Sequence, residues 1–110
     1  MDITKGFSPT RQYTSITPRE VHELMATGCD CTLLDVRTPD EYEQYHIAGS
    51  VSLPDYELIA GNIPLKKTSP VVVYCQSGAR SYTACLRLLR LGFCKVYDMG
   101  AITRWPYGFE

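Results

Sequence analysis

The chain has 110 residues, 45% of them hydrophobic, and a formal net charge of -1 from 11 basic and 12 acidic side chains. That is the length of one ordinary domain, able to bury roughly two thirds of its unfolded surface without disulfide staples. The charge balance lacks the basic excess of a nucleic-acid or anionic-membrane surface, and no uncharged apolar run of about 18 residues suggests a membrane span.

Residues 1–12 contain no apolar stretch of signal-peptide length, so a loosely ordered amino-terminal segment and a cytoplasmic protein are expected. Two helix starts follow, written almost alike as Thr17-Pro18-Arg19-Glu20 and Thr38-Pro39-Asp40-Glu41. Each pairs an N-cap threonine with proline at the first helical position and glutamate at the third, the pattern of a capping box. The first helix carries Val21, Leu24 and Met25 on one face and stops at Gly28; the second is shorter and runs through Tyr42 and Tyr45. Between them, the apolar run Thr32 to Val36 is too short for a helix and reads as a buried strand. Val51 to Leu53 is a further strand candidate, and residues 56–60 make a short helical turn closed by Gly61.

Val71 to Tyr74 is β-branched and bracketed by Pro70 and a Gly-bearing loop, which reads as a central parallel strand. The helix after that loop starts near Arg80 or Ser81 and turns Ala84, Cys85, Leu88 and Leu89 inward. Gly92 stops it, with Phe93 folding back on Leu88 in a Schellman motif, and Val96-Tyr97 supplies one more strand. Alternating strands and helices predict an α/β sheet.

Cys75 therefore lies just past the carboxyl end of a central strand, the edge at which open α/β sheets hold ligands. A tight loop entering a helix turns several backbone N–H groups toward one point, and the helix dipole adds positive charge there. A free thiol is mostly protonated at neutral pH, and aligned amides together with Arg80 are expected to favour an accessible thiolate at Cys75. Gln76, Ser77, Gly78, Ala79 and Arg80 form the candidate anion cradle; Gly78 permits the bend, and small side chains at Ser77 and Ala79 leave room.

The other four cysteines attract different readings. Cys85 and Cys94 are expected in the core, and five thiols that cannot all pair internally point to a reducing compartment. Cys29-Asp30-Cys31 has no second pair at zinc-like spacing and His22 and His46 are isolated, so no metal site is expected. His22 reads as a surface helix residue and His46 as a capping or packing residue.

Taken together, LLDVRTPDEYEQYHIAGSVSLP and VVVYCQSGARS resemble the single-domain rhodanese family of sulfurtransferases. The likeness takes in Asp35-Val36-Arg37, Glu41-Tyr42, His46-Ile47 with Gly49, Leu53-Pro54, the loop from Cys75 to Arg80, and Gly100 with Trp105. It implies one domain over residues 1–110, with a five-stranded parallel sheet in the order 1-5-4-2-3 and helices on both faces. Cys75 would accept a sulfane sulfur as a persulfide, with no other cofactor. Arg80 would orient an anionic donor, and Asp35, Arg37 and Ser81 would support the loop. Donors would be thiosulfate or a low-molecular-weight persulfide, and the acceptor a thiol, cyanide or a protein, with no nucleic acid or membrane involved. Ser50, Ser52 and Ala101 depart from the family pattern and leave the loop intact, with Ala101 expected to alter the adjoining turn and the entrance that a partner or substrate would use.

Two alternatives come from other classes of function. A Cys-dependent phosphatase or arsenate reductase would also place cysteine before an anion loop, but such phosphatases resemble Cys-x5-Arg, and here Arg80 follows after four residues, with Tyr74 where histidine is usual. A noncatalytic sulfur-relay or binding module would use the same fold. Catalysis is favoured because the nucleophile and the loop are intact.

Overall fold

The computed structural model describes residues 12–61 and 63–110. The expected loosely ordered segment, except for Gln12, lies outside them. Five strands and four helices alternate along the chain: β1 (Thr14–Ser15), α1 (Pro18–Ala26), β2 (Thr32–Asp35), α2 (Pro39–Gln44), β3 (Val51–Ser52), α3 (Asp55–Ala60), β4 (Val71–Cys75), α4 (Ala79–Arg90) and β5 (Val96–Ala101). A 3-10 turn at Ile102–Arg104 follows. Every strand pairing is parallel and the order is β1-β5-β4-β2-β3, as the family resemblance implies.

Both capping boxes form. The Thr17 hydroxyl accepts from the Glu20 amide at 3.1 Å while Glu20 accepts from the Thr17 amide at 2.9 Å, and Thr38 and Glu41 repeat the exchange at 3.2 and 2.9 Å. Each cap satisfies amides that the first helical turn leaves without partners. The α4 stop is also as read: Gly92 has φ +100°, its amide donates to Leu89 O, and the Phe93 amide donates to Leu88 O at 3.0 Å.

Because successive strand residues face opposite ways, β4 divides its side chains between two cores. Val71, Val73 and Cys75 join Leu34, Leu58, Ala84, Cys85, Leu88 and Phe93 beneath α3 and α4. Val72 and Tyr74 join Val21, Leu33, Ile47, Met99, Ile102 and Trp105 on the other side. A strand covered on both faces has no solvent side to alternate with, which is why β4 reads as an unbroken apolar run. Burying each large apolar side chain contributes about 1.5–3 kcal/mol, so the two layers together fix the sheet edge on which the loop stands.

Strands β4 and β5 slip register next to that edge. Val73 pairs with Asp98 but Tyr74 pairs with Gly100, leaving Met99 as an extra residue. Gly100 has φ +86°, a left-handed conformation suited to glycine. Strand β5 is longer than the expected Val96-Tyr97, and β1 has only two residues, too few to give a periodic signal. Cys94 is exposed rather than in the core, because it sits in the turn before β5 with its amide on Lys67 O. Among the described residues no helix is long and apolar enough to cross a membrane.

Candidate active site

Helix α4 begins without a side-chain cap, since its N-cap residue is Gly78. The acceptor that a capping side chain would offer comes instead from Cys75. Its Sγ receives the Gly78 amide at 3.0 Å and the Ser81 amide at 3.2 Å. Ser81 is the third residue of the helix, so the thiol takes the place that an N-cap oxygen fills elsewhere. The buried Ser81 hydroxyl donates to Gly78 O at 3.1 Å, tying the loop to itself. Gly78 has φ +105°, and a Cβ added there would meet nothing within 4 Å. Backbone conformation, not space, calls for glycine at this position.

The converging amides were expected, but the donors are Gly78 and Ser81, one of them outside the loop residues 76–80. The thiol also differs from expectation in access: Cys75 is 0% exposed. Its side chain joins the core beneath α4.

Asp35 and Arg37 brace the loop from the adjoining strand. Asp35 pairs in register with Tyr74, so the end of β2 lies beside the residue preceding Cys75. Arg37 is 1% exposed and engages all three guanidinium nitrogens: Nε and Nη2 donate to the Asp35 carboxylate at 2.7–3.1 Å, Nη2 also to Tyr45 O at 2.7 Å, and Nη1 to Gln76 Oε1 at 3.1 Å. Gln76 Nε2 donates in turn to the Tyr45 hydroxyl at 3.3 Å. The first loop residue is thus held by a buried ion pair and an aromatic ring.

Arg80 is placed differently from the expected donor clamp. Its guanidinium donates to both Glu41 oxygens, at 2.6 and 3.0 Å, and interacts with Cys75 through charge and not through a hydrogen bond. Those hydrogen bonds, joined by the Thr38 cap, hold the Glu41 carboxyl down at about 2. One carboxylate therefore caps α2 and fastens the far end of the loop. Ser77 and Ala79 are exposed at the rim.

Sequence reasoning read Glu41 only as a cap, because its partner lies 39 residues away and only the β2–β4 pairing brings the two together. Tyr45 was likewise missed as a loop contact, and Tyr74 as the link from its hydroxyl to Ser50 and the Ile47 amide. Asp98 had no local signal either; burial pushes its carboxyl up, and Oδ1 has no hydrogen-bond partner. Burial also pushes the Cys85 thiol up, so it stays neutral beside Cys75. His46 packs as read, with Nδ1 on Tyr42 O and its ring stacked on Tyr42.

Residues 17–105 match the model of the rhodanese-like domain. The chain is 35% identical over 91 residues to a sulfurtransferase of Allochromatium vinosum, covering 82% of this chain and 85% of that one. It is 34% identical over 94 residues to the thiosulfate sulfurtransferase GlpE of Coxiella burnetii, covering 84% and 87%. A crystal structure of a rhodanese-related protein from Thermoplasma volcanium superposes with a TM-score of 0.77 at 32% identity, covering 89% of this chain and 98% of that one. With the strand order already matching, these likenesses make the chain a member of the rhodanese-like family of sulfurtransferases.

Proposed function

We propose that this chain moves a sulfane sulfur from thiosulfate or a low-molecular-weight persulfide to a nucleophilic acceptor through a persulfide on Cys75. The observation that carries this reading is the pair of amides, from Gly78 and Ser81, aimed at Sγ from a helix N-terminus. In the first step the thiolate attacks the outer sulfur of the donor. A new S–S bond forms, the donor's own S–S bond breaks, and its electron pair leaves on sulfite or a thiolate. In the second step an acceptor such as a thiol or cyanide attacks the terminal sulfur, and the electron pair of the broken S–S bond returns to Sγ. The two amides hold negative charge on sulfur before the first step and after the second.

Sγ is covered at rest, so on this reading a donor reaches it by movement of the exposed loop residues Ser77 and Ala79, while Gln76 stays held by Arg37 and Tyr45.

The test is intact-mass analysis after incubation with thiosulfate or glutathione persulfide, before and after a reductant, followed by peptide mapping. Mapping matters because Cys29 and Cys94 are exposed. One reducible sulfur on Cys75, absent in Cys75→Ser, is the expected result. Equal uptake by the variant would remove Cys75 from the role.

A further inference from the structure

Among the described residues, each guanidinium that borders the loop is already matched to a carboxylate. Arg37 is held by Asp35, and Arg80 is held by both oxygens of Glu41. Asp55 adds a further negative charge near Arg80. Arg80 lies within Coulombic range of Cys75, but its charge is matched by Glu41, so among the described residues the side chains around the thiol supply no spare positive charge, and the hydrogen bonds to the sulfur come from the Gly78 and Ser81 amides.

The two donor classes make unequal demands on such a site. Thiolate plus thiosulfate brings three negative charges together, and they persist on the enzyme persulfide and the departing sulfite. Thiolate plus a hydropersulfide, R–S–SH, carries a single negative charge. Sγ bonds to the terminal sulfur, the R–S to S bond breaks, and the electron pair leaves as R–S⁻, with the proton staying on the enzyme persulfide. A site without net positive charge disfavours the first encounter far more than the second.

On the sulfur-transfer reading above, we infer that the donor is a hydropersulfide in preference to thiosulfate, and that Glu41 sets this preference by occupying Arg80. Glu41 is then a specificity-determining residue, acting through the arginine it binds. The capping box lets its charge be removed cleanly, because glutamine at the third helical position can still accept from the Thr38 amide. Glu41→Gln thus frees Arg80 for an oxyanion and leaves the helix start capped.

The experiment measures loading of Cys75 in a single turnover by quenched intact mass, with thiosulfate and with cysteine hydropersulfide. Wild type, Glu41→Gln and Cys75→Ser are compared. The readout is the ratio of the thiosulfate to the hydropersulfide rate constant, so any general loss of structure cancels. The ratio is expected to rise about tenfold in Glu41→Gln, the order of one charge-assisted hydrogen bond to an oxyanion. An unchanged ratio, or one that falls, overturns the assignment to Glu41, and so does wild-type loading that is faster with thiosulfate than with the hydropersulfide. If neither donor loads Cys75 in wild type, the sulfur-transfer reading itself fails and the donor preference falls with it.

Discussion

Replacing Arg37 with leucine tests whether the buried pair holds the loop. The substitution keeps much of the side-chain volume but leaves the Asp35 carboxylate fully buried, with only the Arg37 backbone amide, at 2.9 Å, still donating to it. It also strips the Gln76 amide oxygen and Tyr45 O of their donors. Breaking one side of a buried ion pair costs about 3–5 kcal/mol, chiefly because the remaining charge is left uncompensated. For a domain of this size that is a fall in Tm of about 12 °C or more. Denaturant unfolding can be followed through Trp105, the single tryptophan, which is buried in the core beside α1. The companion variant Asp35→Leu with Arg37→Leu removes both charges and should recover most of the loss. A single variant within about 1 kcal/mol of wild type, or a double variant as damaged as the sum of the singles, would refute the claim that an orphaned charge is the cause.

Three further outcomes are expected. Gly78→Ala forces a left-handed conformation on a residue with a Cβ, at about 1–2 kcal/mol, and should slow sulfur loading by shifting an amide that faces Sγ; unchanged stability would show that the loop relaxes freely. Because Arg80 holds the Glu41 carboxyl at about 2, below its unfolded value of 4.5, the pair contributes stability that is full above that value and is lost as pH falls toward 2. Both side chains are about a third exposed, 33% and 30%, so solvent screens the pair and the contribution is about 1 kcal/mol, read as the stability gap between wild type and Glu41→Gln closing across that window. For Asp98 the sign reverses: a carboxyl raised by burial loses stability as pH rises past its unfolded value, so Asp98→Asn should stabilise at neutral pH by about 1 kcal/mol and be neutral in acid. A destabilised Asp98→Asn would mean that Oδ1 has a partner in solution, or that the hydrogen bonds to Ser81 and Gly100 outweigh burial.

What could be read from the residues was local. Thr17 to Glu20 and Thr38 to Glu41 announce their caps because each exchange of hydrogen bonds closes within three residues. Gly92 and Phe93 announce the end of α4 for the same reason. The placement of Cys75 followed from strand, loop and helix in immediate succession, while the strand order came through the family resemblance. Contacts that bridge distant segments left no trace: Glu41 with Arg80, Arg37 with Gln76, and Tyr45 with Gln76 form only because β2 and β4 end side by side. Cys94 was misplaced because a residue next to a strand inherits an apolar context that a turn then reverses. The covering of Cys75 was also out of reach, since it depends on how tightly four intervening residues fold over a sulfur.

The sulfur of Cys75 finishes the first turn of the helix that follows it, so on the proposed reading reactivity and architecture share one atom. Whatever that atom carries is reported to the backbone: a spent, loaded or oxidised sulfur changes what two peptide groups can grip. A descendant that abandons the chemistry must still leave an acceptor at position 75, and serine can serve where alanine leaves two amides with nothing to hold.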